Sequence, residues 1–412
     1  MLEHLFHGPQ RIQELREGPR GALFEGFARE LLQAGYPERP ARRHIRAAEH
    51  LLHWTEQEGE PISNLTKTLL GRFSRHVRDC RCPGYGRSDL GLSKGARLFE
   101  GYLRSTGLLT TPVEPSQEPP LLVAFWEWMK QQRGTSDSTL ADYGLPIRAL
   151  LVRLGDDPSS FDAQGLRQFV LEASRRSGWA TAKRYTTALR MFLRFLIAEG
   201  QCAASLDAAI PVVAHWRHSS LPRYLLPEDV ERVIASCDPG TPVGRRNRAV
   251  LLLLARMGLR AGDIVQLRLD DIDWKEPSVR VCGKGRLETR LPLTQEVGDA
   301  LVDYLRAGRP HTDADALFVL SCAPFRAFAS QCAISMVVAR AMRRAGVVCP
   351  SRGAAHVLRH SAATAMLWQG ASLQEIASVL RHRSIETTQI YAKVDVTALQ
   401  QIAQAWPEVH PC

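Results

Sequence analysis

Tyr391 stands nine residues after His382 in LRHRSIETTQIYAKVD and downstream of Arg359 in HVLRHSAATAML, so one stretch of chain carries a phenol, imidazoles and a guanidinium. A phenol with an unperturbed pKa near ~10 is a poor nucleophile at neutral pH, and it needs cationic neighbours that stabilise charge on the group it attacks. His356 and Arg359 are three positions apart, which on a helix places both on one face, able to converge on one phosphate. Upstream, MGLRAGDIVQLRLDDIDW surrounds Arg260 and VCGKGRLETRLPL surrounds Lys284. Two planar forks, Arg260 and Arg359, can bracket the non-bridging oxygens of a scissile phosphate. Lys284, between two glycines, is a flexible donor suited to protonating a leaving 5′ oxygen, and His356 and His382 can donate to phosphate or exchange protons with the tyrosine. Each residue alone has a plainer reading as a surface arginine, an exposed Gly-Lys-Gly turn or a structural histidine. Together, in this order, they point to phosphoryl transfer.

The elements that must position them follow from periodicity. Residues 201–225 hold Pro211 and Pro222 and few periodic apolar positions, and Pro227-Glu-Asp reads as a helix start. RRNRAVLLLLARMG is a buried helix stopped by Gly258, and GDIVQLRLDDIDW reads as a short helix ending in acidic turn residues. PSVRVCG and ETRLPLT alternate apolar and polar residues around Gly283-Lys284-Gly285-Arg286, which predicts a hairpin with Lys284 at its tip. Helices are expected at EVGDALVDYLRAG, AISMVVARAMRRAG, HVLRHSAATAMLWQG and SLQEIASVLRH. Further upstream, LLVAFWEWMKQQR, TSDSTLADYGLPIRALLVRLG, FDAQGLRQFVLEASRRSG and WATAKRYTTALRMFLRFLIAEG predict a bundle of about four helices. On the last of these, Lys183, Arg184, Arg190 and Arg194 form either a solvated face or a DNA-backbone contact. TPVEPSQEPP reads as an extended linker, and residues 1–110 read as mostly helical.

The 412 residues exceed one ordinary core, and two or three domains are expected. Hydrophobic residues make up 45% and charged residues 23%, which fits neither a membrane protein nor a disordered chain. The longest apolar run, AVLLLLA, is far shorter than the ~20 residues of a membrane span. Fifty-three Lys and Arg against 43 Asp and Glu give a net charge of +10, which favours a polyanionic partner. No export signal is visible at the N-terminus, so the nine cysteines read as reduced thiols and the location as cytoplasmic. Cys80 and Cys82, with His76 nearby in HVRDCRCPGY, invite a zinc reading. C-x-C lacks a paired ligand set at the usual spacing, however, so these are taken as thiols in a loop and no metal is expected.

The set Arg260, Lys284, His356, Arg359, His382 and Tyr391 resembles the tyrosine recombinase (phage integrase) family, whose pattern is Arg, Lys, His-x-x-Arg, His or Trp, and Tyr. All six positions match. The family's G-L-R-x-x-E has Asp263 in place of Glu, and its L-G-H becomes Leu380-Arg381-His382, which sets a cation beside the site. His360 maps onto a supporting histidine. The resemblance implies a mainly α protein with three parts: a helical N-terminal extension over 1–110, a SAM-like helical core-binding domain over 118–203, and an α+β catalytic domain with a small β-sheet over 221–406. It implies a cofactor-free enzyme that cuts and rejoins double-stranded DNA through a 3′-phosphotyrosyl intermediate on Tyr391. Lys183, Arg184, Arg190 and Arg381 are candidate DNA contacts. Partners would be other recombinase protomers in a homo- or hetero-tetrameric synapse, docked through a C-terminal segment such as Thr397 to Trp406. The extra 110 residues favour a mobile-element integrase or transposon recombinase over a chromosome-dimer resolvase. A type IB topoisomerase-like enzyme and a catalytically weak accessory binder are the alternatives.

Overall fold

Helices make up most of the computed structural model, which describes residues 1–17, 20–80, 82–83, 90–109, 118–176, 178–213, 221–283, 288–351, 353–395, 399–401 and 403. The chain divides into two compact units, one formed by residues 111–217 and the other by residues 1–110 with 218–412.

In the first unit, four helices span Pro120–Arg133, Asp137–Leu154, Ala163–Arg176 and Trp179–Ala198. Their apolar stripes close on Phe125, Ile147, Leu150, Leu166, Leu189, Phe192 and Leu196, all fully buried. Gly134 ends the first helix in the left-handed conformation, the usual place for glycine at a helix end.

In the second unit, the described residues before 110 form helices that include Gly21–Gln33, Glu38–Gln57, Lys67–Asp79 and Leu90–Ser105. Their core gathers Phe27, Ile45, Leu51, Phe73, Phe99 and Leu103, and Ala323 joins it from much later in the chain. The remaining core is built around the helix Pro242–Ala255. Its apolar run Ala249–Ala255 is buried on every side, because Gln295–Asp303 and Ala354–Trp368 pack on different faces of it. Each such leucine contributes about 1.5–3 kcal/mol by leaving water.

A small antiparallel sheet is set among these helices, in the order β1 (Ile272–Asp273), β2 (Ser278–Cys282), β3 (Glu288–Pro292). Val279 faces Leu291 and Val281 faces Thr289 across the hairpin, with Val279, Val281 and Leu291 turned to the core. The expected hairpin is present. The segment read as running through DDIDW in acidic turns instead gives Ile272–Asp273 to the sheet, because Ile272 is needed by the core and pairs with Val279. Among the described residues no helix is long and apolar enough to cross a membrane.

Candidate active site

Gly258 starts the geometry. It lies past the buried helix with φ of +59°, and a Cβ there would sit 2.5 Å from Cδ2 of Leu380, so both backbone and space require glycine. The turn delivers Arg260 as the residue capping the helix Ala261–Gln266, where its backbone N–H donates to Oδ2 of Asp263 at 3.0 Å. Asp263 thus buttresses Arg260 through the main chain. The Arg260 guanidinium is held instead by the Arg381 carbonyl, to which Nη2 donates at 2.9 Å.

The helix Ala354–Trp368 carries His356, Arg359 and His360. Arg359 is buried, and its two terminal nitrogens donate to the carbonyls of Gly258 and Leu380, which fix the plane of the fork. Burial and the neighbouring Arg260 push its pKa down to about 10. It remains charged at neutral pH, and close to a second guanidinium such a charge is best compensated by an anion.

Tyr391 is 1% exposed on the 3₁₀ segment Gln389–Val394, packed with Ala363, Leu367, Ile376 and Leu380. Its hydroxyl lies 2.8 Å from Nδ1 of His360. Burial pushes the phenol up to about 12, while burial, then His356 and Arg359, push His360 down to about 4. The imidazole is therefore neutral, and in the tautomer that carries its proton on Nε2 it accepts a hydrogen bond from the Tyr391 hydroxyl at Nδ1. His382, likewise pushed down to about 4 by burial and then Arg359, sets Nδ1 2.7 Å from the Thr388 hydroxyl. His356 keeps an exposed edge, and its pKa is lowered by desolvation and then by Arg359 and Arg260.

Leu373–Val379 ends in a left-handed turn. The His382 N–H donates to the Ala377 carbonyl at 2.9 Å and the Arg381 N–H to that of Ser378 at 3.0 Å, with Arg381 at φ of +53°. Glycine is the usual residue at such a position. Here the arginine side chain turns inward and pairs with Asp263, both side chains more than nine-tenths buried.

The structure brings Arg260, His356, Arg359, His382 and Tyr391 together, and Lys284, between β2 and β3 in the sequence, lies outside the described residues. Of the remaining basic candidates, Lys183 and Arg184 are exposed, with Arg184 4.0 Å from Asp142. Arg190 is spent on the backbone: its Nη2 donates to the carbonyls of Ile210 and Pro211 at 2.8 and 3.0 Å. The suggested C-terminal docking segment falls outside the described residues except for 399–401 and 403. The sequence assigns His360 a supporting role and does not point to Thr388. The signal for His360 was its place one residue past Arg359, on the same turn of helix.

Comparisons with known proteins agree with this architecture. Residues 223–397 match the phage integrase family model, and residues 122–200 match the model of the phage integrase N-terminal SAM-like domain. The y4rA protein of Sinorhizobium fredii, whose name assigns it as an integrase/recombinase, is 36% identical over 400 residues, 95% of each chain. The tyrosine recombinase XerD of Lacticaseibacillus casei is 28% identical over 302 residues, covering 71% of this chain and 98% of that protein. Among solved structures, the XerH site-specific recombinase bound to a palindromic difH substrate, in a post-cleavage complex, shares the fold. Its TM-score is 0.55 at 20% identity, over 81% of this chain and 93% of that one.

Proposed function

This chain belongs to the phage integrase family of tyrosine recombinases, whose members catalyse DNA cleavage and strand exchange, and we propose that it is a site-specific recombinase serving integration or transposition of a mobile element. The observation that carries the chemistry is the Tyr391 hydroxyl, held on Nδ1 of a neutral His360 within reach of the Arg359 charge.

In this reading the phosphate of one strand of double-stranded DNA enters between Arg260 and Arg359, whose charges offset the negative charge that grows as the pentacoordinate state forms. His356 and His382 donate to its oxygens. The Tyr391 oxygen attacks phosphorus, the bond to the 5′ oxygen breaks, and Lys284 supplies the proton to that oxygen. The phenolic proton passes to His360. With the phenol pushed up to about 12 and His360 down to about 4, that transfer is strongly uphill in the substrate-free site, so no tyrosinate stands ready. The proton leaves as the P–O bond forms, with the bound phosphate raising the basicity of His360. With Tyr391 at 1% exposed, DNA binding must also open the packing around it. The resulting 3′-phosphotyrosyl ester keeps the energy of the broken bond, and the freed 5′ hydroxyl attacks the partner duplex.

The mobile-element assignment is supported by length. The XerD match takes nearly all of that protein but leaves over a quarter of this chain, whereas the y4rA match covers 95% of both. We place the functional division at 1–110, 118–203 and 221–406, with the second and third parts holding DNA and protomers assembling as tetramers.

The test is incubation with a suicide duplex taken from the flanks of the chain's own gene. A covalent adduct with the parent and none with Tyr391→Phe is expected. No adduct with the parent, or one that survives in Tyr391→Phe, refutes the reading.

A further inference from the structure

Far from the reacting residues in sequence, four soft ligands converge within the first 110 residues. His50 lies on the helix Glu38–Gln57, His76 in the last turn of Lys67–Asp79, Cys80 caps that helix and Cys82 follows. One atom from each lies within 4.8 Å of all the others. Nε2 of His50 is 3.4 Å from Nε2 of His76 and 3.3 Å from Sγ of Cys80, and Nε2 of His76 is 3.5 Å from Sγ of Cys82.

We propose that His50, His76, Cys80 and Cys82, converging from two helices and the turn that follows them, form a structural zinc site. Bond lengths of about 2.05 Å to nitrogen and 2.3 Å to sulfur in a tetrahedron require ligand separations of about 3.3 Å between nitrogens and about 3.6 Å between nitrogen and sulfur. The observed 3.4 Å between nitrogens and 3.3 and 3.5 Å between nitrogen and sulfur lie close to these edges. The ligand set is closed, with two imidazoles and two thiolates and no open position, which marks a structural rather than a catalytic ion. Two thiolates also neutralise the dication, so the assembly carries no net charge into its half-buried setting.

The surroundings fit the same reading. The Cys82 backbone N–H donates to Sγ of Cys80 at 3.3 Å, the kind of second contact that orients a ligating sulfur. Phe73 stands edge-on to the His50 ring at 5.3 Å, and Trp54 stacks on the His76 ring at 5.6 Å, so both imidazoles are held by aromatic walls. C-x-C offers no second ligand pair nearby in sequence; His50 reaches the cluster from the preceding long helix.

The test uses the full chain, purified under reductant, loaded with zinc and desalted. Its metal content is read by plasma mass spectrometry, and a parallel sample is loaded with cobalt(II). About one zinc per chain is expected, together with the visible d–d absorption and sulfur-to-cobalt charge transfer of a tetrahedral thiolate site. Both should be lost in the Cys80→Ser/Cys82→Ser double variant and kept in Cys322→Ser, whose thiol is exposed elsewhere. Because the parent's metal content and spectrum stand by themselves, misfolding of the double variant does not blunt the test. A folded parent that takes up no metal overturns the proposal. So does metal retained by the double variant, or a Cys80–Cys82 disulfide persisting under reductant in place of the ion.

Discussion

The buried pair between Arg381 and Asp263 can be taken apart by a double-mutant cycle whose outcome follows from its geometry. Both side chains are more than nine-tenths buried, and removing one member of a buried pair costs about 3–5 kcal/mol because the other charge is stranded. Arg381 also occupies a left-handed position at φ of +53°, where a side chain costs roughly 1 kcal/mol that glycine does not. Arg381→Gly therefore loses the pair but relieves the backbone, for a net destabilisation of about 2–4 kcal/mol. Asp263→Asn strands the guanidinium with no such relief and costs about 3–5 kcal/mol. The double variant removes both charges, keeps the relief and leaves the introduced side-chain amide oxygen to accept from the Arg260 N–H, so it should return to within about 1 kcal/mol of the parent. The coupling energy is then at least about 4 kcal/mol.

Urea unfolding monitored by fluorescence reads these differences as midpoint shifts on the order of 1 M for the single variants. Suicide-duplex cleavage provides the functional arm. Because Arg260 Nη2 is held by the backbone carbonyl of residue 381 rather than its side chain, the double variant should cleave within about tenfold of the parent, a loss below ~1.4 kcal/mol. Arg381→Gly as stable as the parent, or a double variant as unstable as Asp263→Asn, would show that the pair is not what holds this turn.

Replacing His360 with phenylalanine removes the acceptor at the Tyr391 hydroxyl; single-turnover cleavage should fall by about 10²–10⁴ with duplex affinity retained, and an unchanged cleavage rate would remove His360 from the proton path. His360 and His382 both fall to about 4 in the folded chain from an ordinary 6.5, so the unfolded chain binds more protons below that value. Stability is thus full above pH ~6.5 and is lost as pH falls toward ~4, by on the order of 3 kcal/mol for His360 and less for the half-buried His382, whose charge water screens; acid titration of the urea midpoint checks this, and His360→Phe should flatten the slope. In the helix Trp179–Ala198, exposed Lys183 and Arg184 should weaken duplex binding when changed to Ala and lower the salt slope by about one each. Arg190→Ala should instead lower thermal stability with that slope unchanged, since its guanidinium is committed to the carbonyls of Ile210 and Pro211.

What the sequence made legible, and what it hid, divides by range. The four-helix bundle, the β2–β3 hairpin and the helix bearing His356 and Arg359 are written in local periodicity, and the six-residue pattern recognises its family because each member sits in a short motif. The contacts that decide how the site works are not local. Asp263 and Arg381 differ from the family's usual Glu and Gly at two separate positions, and neither change explains itself until the fold sets them against each other. A small residue satisfies the left-handed turn directly; an arginine there is tolerable because a buried carboxylate receives its charge. The same holds for His360, whose part depends on a tyrosine 31 positions later, and for His50, which meets Cys80 only after a helix reversal. In each case the residue type fixes what chemistry is available, and the partner brought in by tertiary packing fixes which chemistry is used.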